Sequence, residues 1–147
     1  MSRLLAVLLG AGAGCLVGMQ APINSRLGRT IGGVQAATFS FLVGSALLIA
    51  ISFVLRGGLA SFGTLGRVPW WALVGGLLGA VYVFVALEAV KTLGASGLSA
   101  AVIAGQLAIS VVVDRFGLLG VARTPITAHR IVGLVLLVAG VALVVRK

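Results

Sequence analysis

Long apolar stretches, separated by short segments that hold most of the charged and proline residues, divide the chain into five parts. The apolar stretches lie at about 4–21, 34–55, 69–89, 94–113 and 130–146. A helix rises 1.5 Å per residue, so about 20 apolar residues cross a hydrocarbon core of roughly 30 Å. The last stretch is short, but Arg130 and Arg146 at its ends can reach the headgroups. The pattern predicts five transmembrane helices in a single domain of residues 1–147.

Composition indicates that the solvent of these helices is lipid. Of the residues, 61% are hydrophobic and 9% are charged, whereas a soluble domain carries about a quarter charged residues. The stretches lack the alternation of barrel strands, and open sheets leave unpaired edges in lipid. We therefore expect an all-α integral membrane protein. The basic residues are scattered between apolar runs, which favours phospholipid headgroups over nucleic acid as their partner.

The basic residues are divided almost evenly between the two ends of the predicted bundle. One end carries Arg3, Arg56, Arg67, Arg115, Arg123 and Arg130, and the other carries Arg26, Arg29, Lys91, Arg146 and Lys147. Cytoplasmic loops normally hold the excess of Lys and Arg. A chain without that excess can insert in both orientations, and two opposed copies would form an antiparallel homodimer. The alternative is one orientation, fixed by a weak preference.

The first polar group at membrane depth lies around Pro22. Gln20 and Asn24 are one helical turn apart, and Pro22 between them lacks the N–H that would bond the carbonyl of Gly18. Polar groups in hydrocarbon require a partner or a cavity. Transporters build binding sites from such interrupted helices, so Gln20 and Asn24 are candidate substrate ligands. The alternative is that the first helix ends at Ala21 and Pro22 begins an interfacial turn.

Three further polar side chains interrupt apolar helices. Tyr82 lies near the middle of the third predicted helix, whereas Gln106 and Ser110 lie one turn apart on the fourth. We predict that all three line the substrate site. Interhelical hydrogen bonding is the alternative role for Gln106.

The chain has only two acidic residues, Glu88 and Asp114, so they are the candidates for coupling transport to an ion. A spacing of three also allows Glu88 to pair with Lys91 on one helix face. Asp114 is followed by Arg115 at the end of its helix, where an interfacial ion pair or a cap is the alternative.

Catalytic and metal-binding groups are sparse. The sequence holds one Cys and one His besides its two acids, without a phosphate-binding loop or a spaced set of metal ligands. We therefore expect neither an enzyme nor a cofactor or metal site.

Five short motifs occur in a recognisable order: GMQAPIN at 18–24, GAVY at 79–82, GQL at 105–107, DRFG at 114–117 and RIVG at 130–133. In this order they resemble the five-helix YdcZ-like branch of the drug/metabolite transporter superfamily. The resemblance implies one half of a ten-helix inverted-repeat transporter, located in the bacterial inner membrane. It would pair with a second copy or a five-helix homologue and carry a small metabolite or drug by alternating access.

One departure from the superfamily limits this expectation. The first predicted helix contains no acid, unlike that of the small multidrug exporters, which weakens the case for proton-driven export of cationic drugs. A small dual-topology ion channel and a non-transporting accessory subunit are the alternative functions.

Overall fold

The computed structural model describes residues 1–56 and 58–146 and is built from helices. The α-helices are α1 (Arg3–Ile31), α2 (Gly33–Arg56), α3 (Gly75–Phe116) and α4 (Ala128–Val145), with short 3₁₀ helices at Ala60–Arg67, Trp70–Leu73 and Leu118–Gly120. These two ranges contain no β-strand. Lys147, one of the basic residues assigned to the C-terminal end, lies outside the described residues, as does Gly57.

Helix α1 extends past the predicted apolar stretch 4–21 and continues through Pro22 to Ile31. Proline removes a single intrahelical hydrogen bond, to the carbonyl of Gly18. In an apolar medium the remaining backbone groups find no water to bond with, so the helical ladder is kept on both sides of the proline. The alternative of an interfacial turn beginning at Pro22 is therefore wrong.

The turn between α1 and α2 is confined to Gly32. Its φ of 94° and ψ of 151° lie in a region that only glycine adopts readily. The Gly32 N–H donates to the Gly28 carbonyl at 3.0 Å. A Cβ on Gly28 would lie 3.5 Å from the Cα of Gly33, so the two helices meet backbone to backbone. Small residues permit this close approach, which replaces the hydrophobic drive absent in lipid.

Helix α3 is long enough for two membrane crossings and is interrupted once, at Gly94. The φ of 69° and ψ of 173° at Gly94 are not helical and again suit glycine alone. The arms on either side, 75–93 and 95–116, are each roughly 30 Å long. They correspond to the predicted helices 69–89 and 94–113. Within the described residues, four helices are long and apolar enough to span a membrane, and α3 supplies two arms of spanning length.

The third predicted helix begins later than expected, at Gly75 rather than near Pro69. Pro69 is extended, with φ −63° and ψ 143°, and it precedes a single 3₁₀ turn that holds both tryptophans. Trp70 is 77% exposed, as expected of a side chain that sits at the headgroup boundary.

The described chain forms two compact units, Met1–Lys91 and Thr92–Lys147. The first unit has a core of Ala37, Val83 and Leu87, with Phe41 and Tyr82 packed against it. Its Leu87 is fully buried. In the second unit, Leu98 is the buried large apolar side chain among the described residues.

Burial in this chain is the reverse of that in a water-soluble domain. Large apolar side chains such as Leu16, Val54 and Leu143 are at least 70% exposed, whereas Asn24 and Ser25 are each 5% exposed. An apolar exterior of this extent must be covered by lipid or by other protein. The distribution supports a helical membrane protein.

Candidate functional site

A narrow cleft between α1 and the first arm of α3 brings together three of the predicted site residues. Gln20, Ala21 and Asn24 line it from α1, and Tyr82, Val83 and Ala86 line it from α3. Because α1 is continuous through Pro22, Gln20 and Asn24 lie on one face of it, as four-residue spacing requires. All six residues belong to the first unit.

Asn24 is the most unusual side chain of this cleft. It is 5% exposed, yet its Nδ2 has no hydrogen-bond partner among the described residues. A buried amide that loses its hydrogen bonds costs roughly 1–3 kcal/mol. Such a group needs a reason, and an incoming ligand that accepts a hydrogen bond is one.

Small residues set the width of the cleft. Ala21 and Ala86 are both buried, and their methyl groups allow α1 and α3 to approach closely. In this conformation the cleft is too narrow to accept a water molecule.

Tyr82 joins the cleft to the core of the unit. The side chain is half-buried and packs against the cluster of Ala37, Val83 and Leu87. It therefore presents the cleft with an aromatic wall whose position depends on the packing of α2 and α3.

Glu88 forms the ion pair predicted from its spacing to Lys91. The Lys91 Nζ donates to Glu88 Oε2 at 2.7 Å, and both side chains are about two-fifths exposed. The other carboxylate oxygen lies over the start of α2, since a Cβ on Gly33 would come within 2.6 Å of it. A negative charge beside a helix N-terminus is favourable, so Glu88 links α3 to the turn between α1 and α2. Its predicted role in ion coupling stays a prediction.

The remaining acid, Asp114, pairs with a different residue from the one the sequence indicated. Its Oδ2 accepts from Arg130 Nη1 at 3.0 Å, rather than from the adjacent Arg115. Neighbouring residues on a helix point about 100° apart and do not face each other. The pair connects α3 to the first turn of α4, where Thr127 caps the helix by accepting from the Arg130 N–H.

Ser110 and the Asp114–Arg130 pair line a second cleft, in the second unit. Its other lining residues are Leu107, Val111, Gly133, Leu134 and Leu137. The cleft encloses about 300 Å³, which is enough for a small ligand or an acyl chain. Ser110 thus lines the cleft of the second unit and is not among the lining residues of the cleft that contains Asn24.

Gln106 lies in neither cleft. Its side chain is exposed, and within the described ranges the hydrogen bonds include none from it. Its two predicted roles, to bind the substrate or to form an interhelical hydrogen bond, stay predictions.

Arg130 is the residue of the second cleft that sequence reasoning did not select. It was assigned only to the headgroup boundary, because its partner Asp114 lies far from it in the chain. Counting charges does not identify Arg130 as the partner, because two acids among 11 basic residues leave many pairings open. In the described residues no group of three or more His, Cys, Asp or Glu side chains is placed to hold a metal ion.

The chain matches one protein family and one known protein over almost its full length. The family model described as "Putative inner membrane exporter, YdcZ" matches residues 5–143. The chain is 34% identical over 148 residues to the inner membrane protein YdcZ of Escherichia coli (strain K12), covering 99% of this chain and 97% of that protein. No solved structure matches the chain. Both sequence matches run through all four α-helices.

Proposed function

Because the chain belongs to the YdcZ family of bacterial inner-membrane proteins, we propose that it is a secondary transporter of a small metabolite or drug-like solute. The family's description as an exporter supports the class of function. The protein is a multi-pass protein of the bacterial inner membrane. We propose its class of solute, its transport mechanism and its assembly from the residues described above.

The unpaired amide of Asn24 is the observation that carries the proposal. It is buried in a cleft that also holds Gln20 on the same helix and Tyr82 on the opposite one, so both walls of the cleft offer groups capable of hydrogen bonding. The rest of the lining is apolar and consists of Ala21, Val83 and Ala86. A solute with an acceptor oxygen, such as a carbonyl or hydroxyl, beside an apolar portion fits this combination.

The narrowness of the cleft supports alternating access. In the observed state the space between α1 and α3 admits no water, which is a requirement for a carrier that must not leak. Loading the site requires α1 to move relative to α3, and the backbone interruption nearest to α1 is Gly32. Hinges of this kind are normally formed by a few residues at the end of an element.

We also propose that two chains pair in the membrane. The even distribution of basic residues over the two ends of the bundle is what an antiparallel homodimer requires. A five-helix homologue could take the place of the second copy. The exposed Gln106 would be covered in such a pair, where its amide could reach the partner or the solute. We propose a half of a ten-helix inverted-repeat carrier on this basis.

A ligand screen followed by flux measurements tests the proposal. Purified protein in detergent is screened by thermal shift against amino acids, sugars, polyols and amphiphilic drugs, because a ligand that binds the folded state raises the midpoint of unfolding. The best hit is then used for counterflow in proteoliposomes. We expect Asn24→Ala to lower the flux at least tenfold, since it removes the only buried amide of the cleft.

Ser25→Ala is the matched control. Ser25 is as buried as Asn24 and follows it in α1, but it does not line the cleft. We expect that variant to keep wild-type flux. Equal loss in both variants, or stabilisation by no compound in the screen, would count against a carrier with this site. Flux without saturation or counterflow would instead indicate a channel, and stable co-purification with a larger membrane protein would indicate an accessory subunit.

A further inference from the structure

The segment between α3 and α4 forms a basic cleft that the transport proposal does not use. Arg115, Phe116, Arg123, Thr124 and Pro125 line it, and it encloses about 340 Å³. It lies entirely within the second unit. Because the segment joins two apolar helices, the cleft is at the level of the lipid headgroups.

Arg123 is exposed, but two local contacts orient its side chain. Its Nε donates to the Phe116 carbonyl at 3.2 Å. Its stem lies against Gly117, where a Cβ would come within 2.6 Å of the Arg123 Cγ. Gly117 has a φ of 64°, so this position favours glycine for two reasons. A fixed guanidinium loses little further side-chain entropy when it binds an anion.

Neither Arg115 nor Arg123 has a carboxylate partner in the described part of the chain. The protein has two acidic side chains, and both are paired elsewhere, Glu88 with Lys91 and Asp114 with Arg130. In addition, α4 begins beside this segment with no acid in its first turn, so its N-terminal dipole adds to the positive potential. Within the described residues, no carboxylate balances the charge of this cleft.

An apolar cleft adjoins the basic one. The Thr124 N–H donates to the Asp114 carbonyl at 2.9 Å, so a residue of the basic cleft bonds directly to a residue that lines the apolar cleft. The apolar walls run from Asp114 back to Leu107, a distance of about 10 Å along the helix toward the membrane interior. Leu134 and Leu137 of α4 form the facing wall.

We propose that this pair of clefts binds an anionic phospholipid, with the phosphate at Arg115 and Arg123 and one acyl chain along Leu107, Val111 and Leu134. Basic pockets between transmembrane helices are suited to acidic headgroups, and guanidinium groups bind phosphate oxygens in bidentate fashion. A headgroup and an acyl chain together match a basic cleft that continues into an apolar one. Free phosphate would satisfy only the first.

Lipid binding to the full-length protein in a neutral detergent tests this site. Native mass spectrometry gives the dissociation constant of short-chain phosphatidylglycerol, and phosphatidylcholine with the same chains is the headgroup control. We expect phosphatidylglycerol to bind at least tenfold more tightly. The Arg115→Gln/Arg123→Gln variant should lose that preference, because each basic residue near an anionic surface contributes about 1 kcal/mol. Arg26→Gln/Arg29→Gln removes the same charge from α1 and should retain it.

The acyl chain is tested separately with two glycines of α4. Gly133 lines the apolar cleft, and a Cβ there meets no atom within 4 Å. Gly133→Leu therefore adds an apolar side chain at a position of the cleft where the Cβ has room, and it should weaken phosphatidylglycerol binding about tenfold. Gly140 is equally open but does not line the cleft, so Gly140→Leu should bind like the wild type. Because these variants keep the arginines, they test the proposal even if the arginine variant fails to fold.

Several results would overturn the proposal. Equal binding of phosphatidylglycerol and phosphatidylcholine would show that the arginines do not select the headgroup. Equal losses in the two arginine variants would show a general charge effect. Displacement of the lipid by inorganic phosphate at similar concentrations would show a phosphate site without a role for the apolar cleft, as would unchanged binding by Gly133→Leu.

Discussion

Two clefts, one in each unit of the chain, differ in whether their polar side chains have partners. In the first unit, a cleft too narrow for water contains a buried amide, Asn24, whose Nδ2 has no partner among the described residues. In the second unit, an open cleft of about 300 Å³ is lined by charged side chains that are already paired, Asp114 with Arg130. Thus the narrow cleft contains a hydrogen-bond donor without a partner, whereas the charged side chains that line the wide cleft are paired with each other.

This difference separates a site of binding from a site of structural pairing. A buried donor without a partner destabilises the fold, so its retention is best explained by something that the protein binds. A half-exposed ion pair between two helices mainly fixes their register and adds little stability. The proposed solute site is accordingly the cleft of the first unit, and the proposed lipid site is in the second unit.

The largest expected effect concerns the packing that keeps the first cleft narrow. Leu87 is fully buried against Ala37 and Val83. Leu87→Ala should lower the free energy of unfolding by about 2–3 kcal/mol, mainly through the cavity it leaves, because lipid removes much of the transfer term. Thermal unfolding in detergent measures the loss.

Leu136→Ala is the comparison variant from α4. Leu136 is 66% exposed, and its truncation should change the free energy of unfolding by less than about 0.5 kcal/mol. Similar losses for both leucines would mean that the first unit is no better packed than an exposed helix face, and the contrast between the units would fail.

The second-largest expected effect is an increase in the free energy of unfolding rather than a decrease. Asn24→Leu replaces an unsatisfied amide by an apolar side chain of similar size, so it should raise the free energy of unfolding by about 1 kcal/mol. The same variant should abolish solute-induced stabilisation. Together these results would identify Asn24 as a residue retained for binding at the expense of stability.

A hydrogen bond from Asn24 to a neighbouring helix would give Asn24→Leu the opposite effect on the free energy of unfolding. If its amide bonds a neighbouring helix in the membrane, Asn24→Leu should destabilise the protein by about 0.6 kcal/mol or more. Gln106→Leu is the matched amide replacement at an exposed position, and in the isolated protomer it should be close to neutral. Destabilisation by Gln106→Leu only at concentrations where the protein is paired would assign Gln106 to the interface between copies.

Much of the fold follows directly from the sequence. Apolar length predicts the helices 69–89 and 94–113, which correspond to the arms of α3 on either side of Gly94, and it predicts α4 within two residues of its observed start at Ala128. Pro22 misled the prediction of α1 because the rule for proline comes from helices in water, where freed backbone groups can be hydrated. In lipid the chain keeps the helix intact past the proline.

The sequence predicts the residue types of the candidate site, but it predicts their proximity only where they share one helix. Gln20 and Asn24 are one turn apart, so sequence spacing places them on the same face. Their association with Tyr82, and the partner of Asp114, depend on how separate helices pack. A single sequence does not show which helices contact each other. Counting charges also does not identify which basic residue pairs with an acid that is distant along the chain.

The smallest expected effect separates the two ion pairs. Asp114→Asn removes a pair that joins two helices, whereas Glu88→Gln removes a pair within one helix at a spacing of three. Both pairs are roughly one-third exposed or more, so screening limits their contribution, and we expect losses of about 0.5 kcal/mol for Asp114→Asn and about 0.3 kcal/mol for Glu88→Gln. Raising the salt concentration in the unfolding measurement should shrink both differences. A loss above about 2 kcal/mol for either variant would show a buried charge network instead, and the second cleft could then no longer be treated as electrostatically satisfied structure.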